Sequence, residues 1–261
     1  IVSYNVLWDS LFSRPDPFRR ILRALDPDLI NFQEIGSHSA AEVRSQMEEM
    51  LGGKWEAVRH SDVVTVSRYP IAASGSCDGN LVVLIDLPDS EYEKDILLIN
   101  VHLPFGSHHR DRWGEIVALL DFIRKVKNGQ GSIPITDGTP IVLVGDMNLV
   151  GPAFHLESLI RGSEEGPDWD GSPLTDLHPY HNSAPRAYTW QSSRQSDFGP
   201  SRLDYIFYSD SALKPVKGFI LATESMEEDA LEKWGLRKSD SIEASDHYPV
   251  IADFTLIPGY P

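Results

Sequence analysis

Ile141-Val142-Leu143-Val144 runs directly into Gly145-Asp146-Met147-Asn148. The first four residues are apolar and mostly β-branched, and a glycine stops the run. Such a stretch fits a short strand buried on both faces. The loop that follows carries a carboxylate and an amide beside sequence that must be dry. Turn chemistry alone explains an Asp-x-Asn after a strand, so the segment gains meaning only through recurrence.

It recurs in both directions along the chain. Val2–Leu7 contains Asn5, Leu29–Phe32 runs into Glu34, and Ile96–Val101 ends at His102. Leu203–Phe207 contains Asp204, and Asp246-His247 precedes Val250–Phe254. Between these strands, helical periodicity predicts helices over 15–27, 39–51, 111–127 and 153–161. The first opens at Pro15 and Pro17, and the second stops at Gly52-Gly53. On the 111–127 helix, Trp113, Ile116, Val117, Leu120 and Ile123 are expected on one side. Further strands are expected near 1–8, 55–59, 63–68, 81–87, 187–191 and 216–222, with an acidic helical stretch over 225–234. Alternating strands and helices predict an α/β or α+β fold. No repeat or long linker divides the chain, so a single domain over 1–261 is expected.

Composition narrows the class. The 261 residues are 41% hydrophobic, enough to bury a sizeable core. No apolar run approaches the ~18 residues of a membrane-spanning helix. The formal charge is 23 − 39 = −16, with no basic cluster, which weighs against nucleic acid as the substrate without excluding it. Cys77 is the single cysteine and cannot form an intramolecular disulfide. A chain that opens inside an apolar strand without Met implies residues upstream, and localisation stays open.

Buried carboxylates are costly unless paired or bound to a metal. Taken singly, each candidate has an ordinary explanation. Glu34 could pair with an arginine, Asp204 with Arg202, and Asn5 could bond a neighbouring backbone. Together, Asn5, Glu34, His102, Asp146, Asn148, Asp204, Asp246 and His247 imply convergence on one partner. Asp, Glu and Asn suit a hard cation such as Mg²⁺, with Mn²⁺ or Ca²⁺ as alternatives. Zinc fits worse, since there is no cysteine cluster and no histidine pair at helical spacing. Phosphoester hydrolysis needs such a set: charge is neutralised, a water loses a proton and a leaving oxygen is stabilised.

The ordered motifs resemble a known family. They are Ser3-Tyr4-Asn5-Val6, Asp28-Leu29-Ile30-Asn31-Phe32-Gln33-Glu34, Ser67-Arg68-Tyr69-Pro70-Ile71 and Asn100-Val101-His102-Leu103. Gly145-Asp146-Met147-Asn148, Tyr188-Thr189-Trp190, Arg202-Leu203-Asp204-Tyr205 and Ser245-Asp246-His247-Tyr248-Pro249-Val250 follow. In this order the chain resembles the endonuclease/exonuclease/phosphatase superfamily, the group of deoxyribonuclease I, abasic-site endonucleases, bacterial sphingomyelinases and inositol-polyphosphate phosphatases. The resemblance implies a four-layer sandwich, two mixed β-sheets face to face with helices outside. It implies Glu34 as main metal ligand with Asn5 and Asp246 close by. It implies Asp146 and Asn148 positioning water and phosphate or holding a second metal. His247, oriented by Asp204, would be general base or phosphate contact, and His102 would contact phosphate or protonate the leaving group. Leu7 and His102 depart from abasic-site endonucleases, which carry an acidic residue and a tyrosine there, so abasic-site repair is not expected.

Weaker signals remain. Arg110 and Arg112 follow the His102 strand and are candidate phosphate contacts, Arg68 reads as structural, and the irregular stretch 162–186 is a candidate for shaping substrate choice. The expected activity is metal-dependent hydrolysis of a small-molecule, lipid-linked or nucleic-acid phosphoester. A deoxyribonuclease I-like endonuclease is the alternative, and a non-catalytic binding module the remote one.

Overall fold

The computed structural model describes residues 1–162, 165–192 and 198–258. Its strands are β1 (Val2–Asn5), β2 (Leu29–Gln33), β3 (Glu56–His60), β4 (Val63–Ser67), β5 (Ile71–Cys77) and β6 (Asn80–Ile85). They continue as β7 (Ile96–His102), β8 (Ile141–Asp146), β9 (Thr175–Asp176), β10 (Asp204–Tyr208), β11 (Leu213–Ile220) and β12 (Val250–Leu256). The helices are α1 (Ser10–Ser13), α2 (Pro15–Leu25), α3 (Ala40–Leu51), α4 (His109–Lys127), α5 (Phe154–Arg161), α6 (Glu228–Trp234) and α7 (Asp240–Ala244).

The strands form two six-stranded sheets, ordered β11-β12-β1-β2-β4-β3 and β5-β6-β7-β8-β10-β9. Each sheet is mixed, and each has a parallel pair at its centre: β1 with β2, and β7 with β8. Alternation along β8 shows why its sequence is apolar throughout. Ile141 and Leu143 pack with Ile116, Leu119 and Ile123 of α4 and Leu159 of α5. Val142 and Val144 pack between the sheets, with Leu29, Val63, Leu98, Ile206 and Val250. On the far side, Tyr4, Ile30 and Phe32 pack against Phe18, Ile21 and Leu22 of α2 and Val43 and Met47 of α3. The result is the expected helix–sheet–sheet–helix sandwich.

Local chemistry sets the helix ends. Pro15 opens α2, and Ser39 caps α3 in a reciprocal pair with Glu42. Gly145 adopts φ +142°, and a Cβ there would lie 1.9 Å from the Val101 carbonyl oxygen. Only glycine lets β7 and β8 approach this closely. Polar side chains cross the sheet interface below the site: Gln33 Nε2 donates to Asn100 Oδ1 at 2.8 Å, and Asn100 Nδ2 donates to the carbonyls of Phe32 and Val64 at 3.2 and 3.1 Å.

Three expectations need correction. Residues 187–191 form no strand; Trp190 makes only single bridges, to Ser201 and His247. β5 is a strand that sequence missed, because Ala72-Ala73-Ser74-Gly75-Ser76 has little strand propensity. On α4 the buried face is Arg112, Ile116, Leu119, Ile123 and Val126, leaving Trp113 and Val117 exposed. The buried stripe is rotated from the expected one and includes an arginine.

Candidate active site

The two parallel pairs bring their ends to one edge of the sandwich. Asn5 is the last residue of β1 and pairs in register with Gln33, just before Glu34. His102 ends β7 opposite Asp146, which ends β8. Antiparallel β10 starts at Asp204, opposite Asp146 from the other side. Tyr248 N donates to Thr189 O at 2.7 Å, holding the segment after Asp246 and His247 beside the same edge.

Asn5 links the sheets. Its Nδ2 donates to Glu34 Oε1 and to Asp146 Oδ2, each at 3.0 Å, while its Oδ1 accepts from Leu7 N at 3.1 Å. Glu34 and Asn148 hold left-handed backbone, φ +61° and +46°; this costs a residue such as Glu34 about 1 kcal/mol or more, whereas asparagine takes it up readily. Asn148 is held by three bonds: its N–H donates to Asp146 Oδ1 at 3.1 Å, its Nδ2 donates to Leu103 O at 3.0 Å, and its carbonyl accepts from Val150 N at 2.7 Å.

Two histidine–carboxylate pairs converge on Asp146. His247 Nδ1 lies 2.8 Å from Asp204 Oδ2, and its Nε2 lies 3.7 Å from Asp146 Oδ2. His102 Nδ1 lies 2.8 Å from Asp62 Oδ2, and its Nε2 is 3.8 Å from Asp146 Oδ2 and 4.0 Å from Glu34 Oε1. Burial alone would depress both imidazoles, but the surrounding carboxylates outweigh it. The Asp62 hydrogen bond and the charges of Asp146, Asp62 and Glu34 push His102 up to about 9. The charges of Asp204 and Asp146, with the Asp204 bond, push His247 up to about 10. Desolvation raises Asp146 to about 6, in spite of both histidines.

Among the described residues, two groups offer ligand atoms within 4.8 Å of one another: Glu34, His102 and Asp146, and then Asp146, Asp204 and His247. The donor set fits a divalent cation. Buried Asp204 Oδ1 and Asp246 Oδ1 accept no hydrogen bond, while Trp190 Nε1 fixes the other Asp246 oxygen at 3.0 Å. Buried carboxylate oxygens without a hydrogen bond are what a bound cation would satisfy.

The two expected substrate contacts, Arg110 and Arg112, differ in their surroundings. Arg110 is exposed in the first turn of α4. Arg112 is fully buried, with its guanidinium taken up by backbone carbonyls, so it does not face solvent in the cluster. Arg202 pairs with Asp176, leaving Asp204 to His247. Arg68 is structural, bonded to Pro27 O and Asp26 and lying over Trp55. Within 162–186, residues 163 and 164 lie outside the described residues. Asp168 is buried against Ser211, and Trp169 Nε1 donates to Thr139 O at 2.7 Å. That part is a packed surface excursion.

Sequence reading missed Asp62, which sits in the turn between β3 and β4 behind Ser61 at φ +52°. A polar hairpin turn carries no signal of chemistry. Its carbonyl accepts from Ile35 N at 3.0 Å, so it also holds the loop after Glu34. Thr189, quoted above without a role, accepts at Oγ1 from the backbone N–H groups of Leu203 and Asp204 at 2.9 Å each. It fixes where β10 begins.

A mixed double sheet with metal-capable acid and histidine clusters at one edge defines a metal-dependent phosphoester hydrolase. The chain belongs to the Endonuclease/Exonuclease/phosphatase family, whose sequence profile matches residues 2–247. No curated protein sequence matches it. Solved structures share the fold at low identity. The human Nocturnin catalytic domain with bound sulfate is 15% identical, with a TM-score of 0.65, 98% of this chain and 93% of that one covered. A Bacteroides vulgatus endonuclease/exonuclease/phosphatase is 16% identical, with a TM-score of 0.65 and 98% of both chains covered. ANGEL2, a 2',3'-cyclic phosphatase seen with adenosine-2',3'-vanadate, is 19% identical, with a TM-score of 0.62, 98% of this chain and 94% of that one covered. Among the described residues no helix is long and apolar enough to cross a membrane.

Proposed function

We propose that the protein hydrolyses a phosphodiester of a small or lipid-linked molecule, with Mg²⁺ held by Glu34 and Asp146 and by the neighbouring Asn5 and Asp246. The observation that carries this reading is the convergence of two histidine–carboxylate pairs on one oxygen of Asp146. A diester needs two proton movements, one from the attacking water and one to the leaving alkoxide, and two separately held imidazoles supply them. A net charge of −16 favours a compact substrate over a long polyanion. ANGEL2, with its 2',3'-cyclic substrate class, is a fold relative acting on such a compact diester.

When bound, the cation neutralises phosphate charge and makes the water easier to deprotonate. Without it, both imidazoles hold protons against the surrounding acids. His247 would accept the water proton at Nε2 once a bound divalent cation had driven off the proton held there, and buried Asp204 would steady the imidazolium that results. His102, turned by Asp62, gives its Nε2 proton to the leaving oxygen. Asp146 and the backbone-anchored Asn148 orient water and phosphate.

The test is turnover of bis-p-nitrophenyl phosphate beside p-nitrophenyl phosphate with Mg²⁺, Mn²⁺ or Ca²⁺, followed by plasmid DNA, RNA, sphingomyelin and inositol phosphates. The diester should be cleaved faster, and EDTA should stop cleavage. A preference for the monoester, or for plasmid DNA over every small diester, would overturn the reading.

A further inference from the structure

We infer that Arg112 is a positioning residue of the active site, a staple that sets the spacing between the chain leaving His102 and the chain leaving Asn148. The inference rests on the proposed roles of His102 and Asn148. Arg112 heads the largest fully buried side chains of the molecule, at 0% exposure. Buried arginines ordinarily pair with a carboxylate, yet among the described residues Arg112 makes no ion pair. Its donors go instead to main chain from two loops and to one histidine ring. Nε donates to Pro104 O at 3.0 Å and Nη2 to Gly106 O at 2.8 Å, both just past β7. Nη1 reaches Val150 O at 3.4 Å, just past Asn148, and donates to His109 Nδ1 at 3.1 Å.

Other contacts close the same junction. Asn148 Nδ2 bonds Leu103 O, the residue after His102. Gly151, at φ +88°, lies so close to His109 that a Cβ would sit 2.7 Å from its Cε1. The first turn of α4 therefore clamps both loops. Asn148 sits at the bend: its left-handed backbone is one that asparagine adopts readily, and the Leu103 and Val150 carbonyls on either side of the junction are both bound. A planar guanidinium can bind carbonyls of two loops at once through its fixed fork, whereas an ammonium is a single point donor. Arg112 thus holds the segment that carries Asn148 in place without touching substrate.

The experiment measures kcat and KM for bis-p-nitrophenyl phosphate with Mg²⁺, well below each variant's Tm, for Arg112→Lys, Arg112→Gln, Asn148→Ala and Arg112→Lys/Asn148→Ala. A displaced segment of about 1 Å costs on the order of 100-fold. We expect kcat of Arg112→Gln to fall roughly 10- to 100-fold with KM changed less than about threefold, and Arg112→Lys to recover part of it. In the Asn148→Ala background, Arg112→Lys should cost less than about twofold, since groups acting as a unit are not additive. Wild-type kcat in both Arg112 variants, with only Tm lowered, would mean plain packing and overturn the staple. So would additive losses. A silent Asn148→Ala would instead sink the assignment of Asn148, taking the staple with it. If the Arg112 variants do not fold, His109→Leu removes one clamp contact; it should lower kcat and lose that effect in Asn148→Ala, and unchanged kcat would refute the inference.

Discussion

His102 and His247 share one oxygen: both Nε2 atoms lie within 4 Å of Asp146 Oδ2, at 3.8 and 3.7 Å, while each Nδ1 holds a carboxylate of its own. Exposure separates the two outer carboxylates. Asp204 is fully buried, whereas the Asp62 side chain is 37% exposed. The pairs should therefore respond unequally to mutation.

Asp204→Asn should lose most of the activity that His247→Ala loses, on the order of 100- to 1,000-fold in kcat/KM. The double variant should be little worse than His247→Ala. Kinetics of the four proteins over a pH series, with folding followed by circular dichroism, decide the matter. Fully additive losses would mean that Asp204 and His247 act apart.

Asp62→Asn removes the hydrogen bond that does most to offset burial at His102. The His102 pKa should fall from about 9 towards its ordinary 6.5, and kcat should drop about tenfold, less than for Asp204→Asn. NMR titration of the His102 ring in metal-free protein reads the pKa directly. An unmoved titration would remove Asp62 from any role in holding that ring.

Metal-free stability should fall as pH rises. His102 and His247 are raised from 6.5 to about 9 and about 10, so what they contribute is complete below pH 6.5 and is lost as pH rises through those values. Asp146, raised from 3.8 to about 6, adds a loss of the same sign at lower pH. Urea unfolding in EDTA from pH 5 to 10 gives the slope, and stability rising across pH 7–10 would contradict it. Saturating Mg²⁺ should flatten the slope, and its binding should release protons.

Glu34→Gln should weaken Mg²⁺ binding at least about tenfold while the fold stays intact. Asn5→Ala removes two bonds to carboxylates and should destabilise the metal-free protein by about 3 kcal/mol. Calorimetric Mg²⁺ titration and chemical denaturation check these separately. Equal Mg²⁺ affinity in Glu34→Gln would exclude it as a ligand.

Much of the site was legible because apolar strands ending in Asn5, Glu34, His102 and Asp146 leave their polar ends no apolar explanation. Periodicity showed the sandwich helices, although the buried α4 stripe includes Arg112 and leaves out Trp113 and Val117. A buried arginine on a helix face reads as solvated in sequence, and only the loop carbonyls above it reveal otherwise. Asp62 was invisible for a different reason. Its partner His102 is 40 residues away, and a turn aspartate has too many ordinary uses.

The Asn5–Asp146 bond spans 141 residues and joins a strand of one sheet to a strand of the other. Neither sheet alone carries the whole acid–histidine cluster. During refolding, each sheet can gather its own hydrogen bonds early, but the site comes into register only when the two faces dock. Catalytic activity should then be among the last properties to return, lagging the recovery of secondary structure, because closing so long a loop is slow.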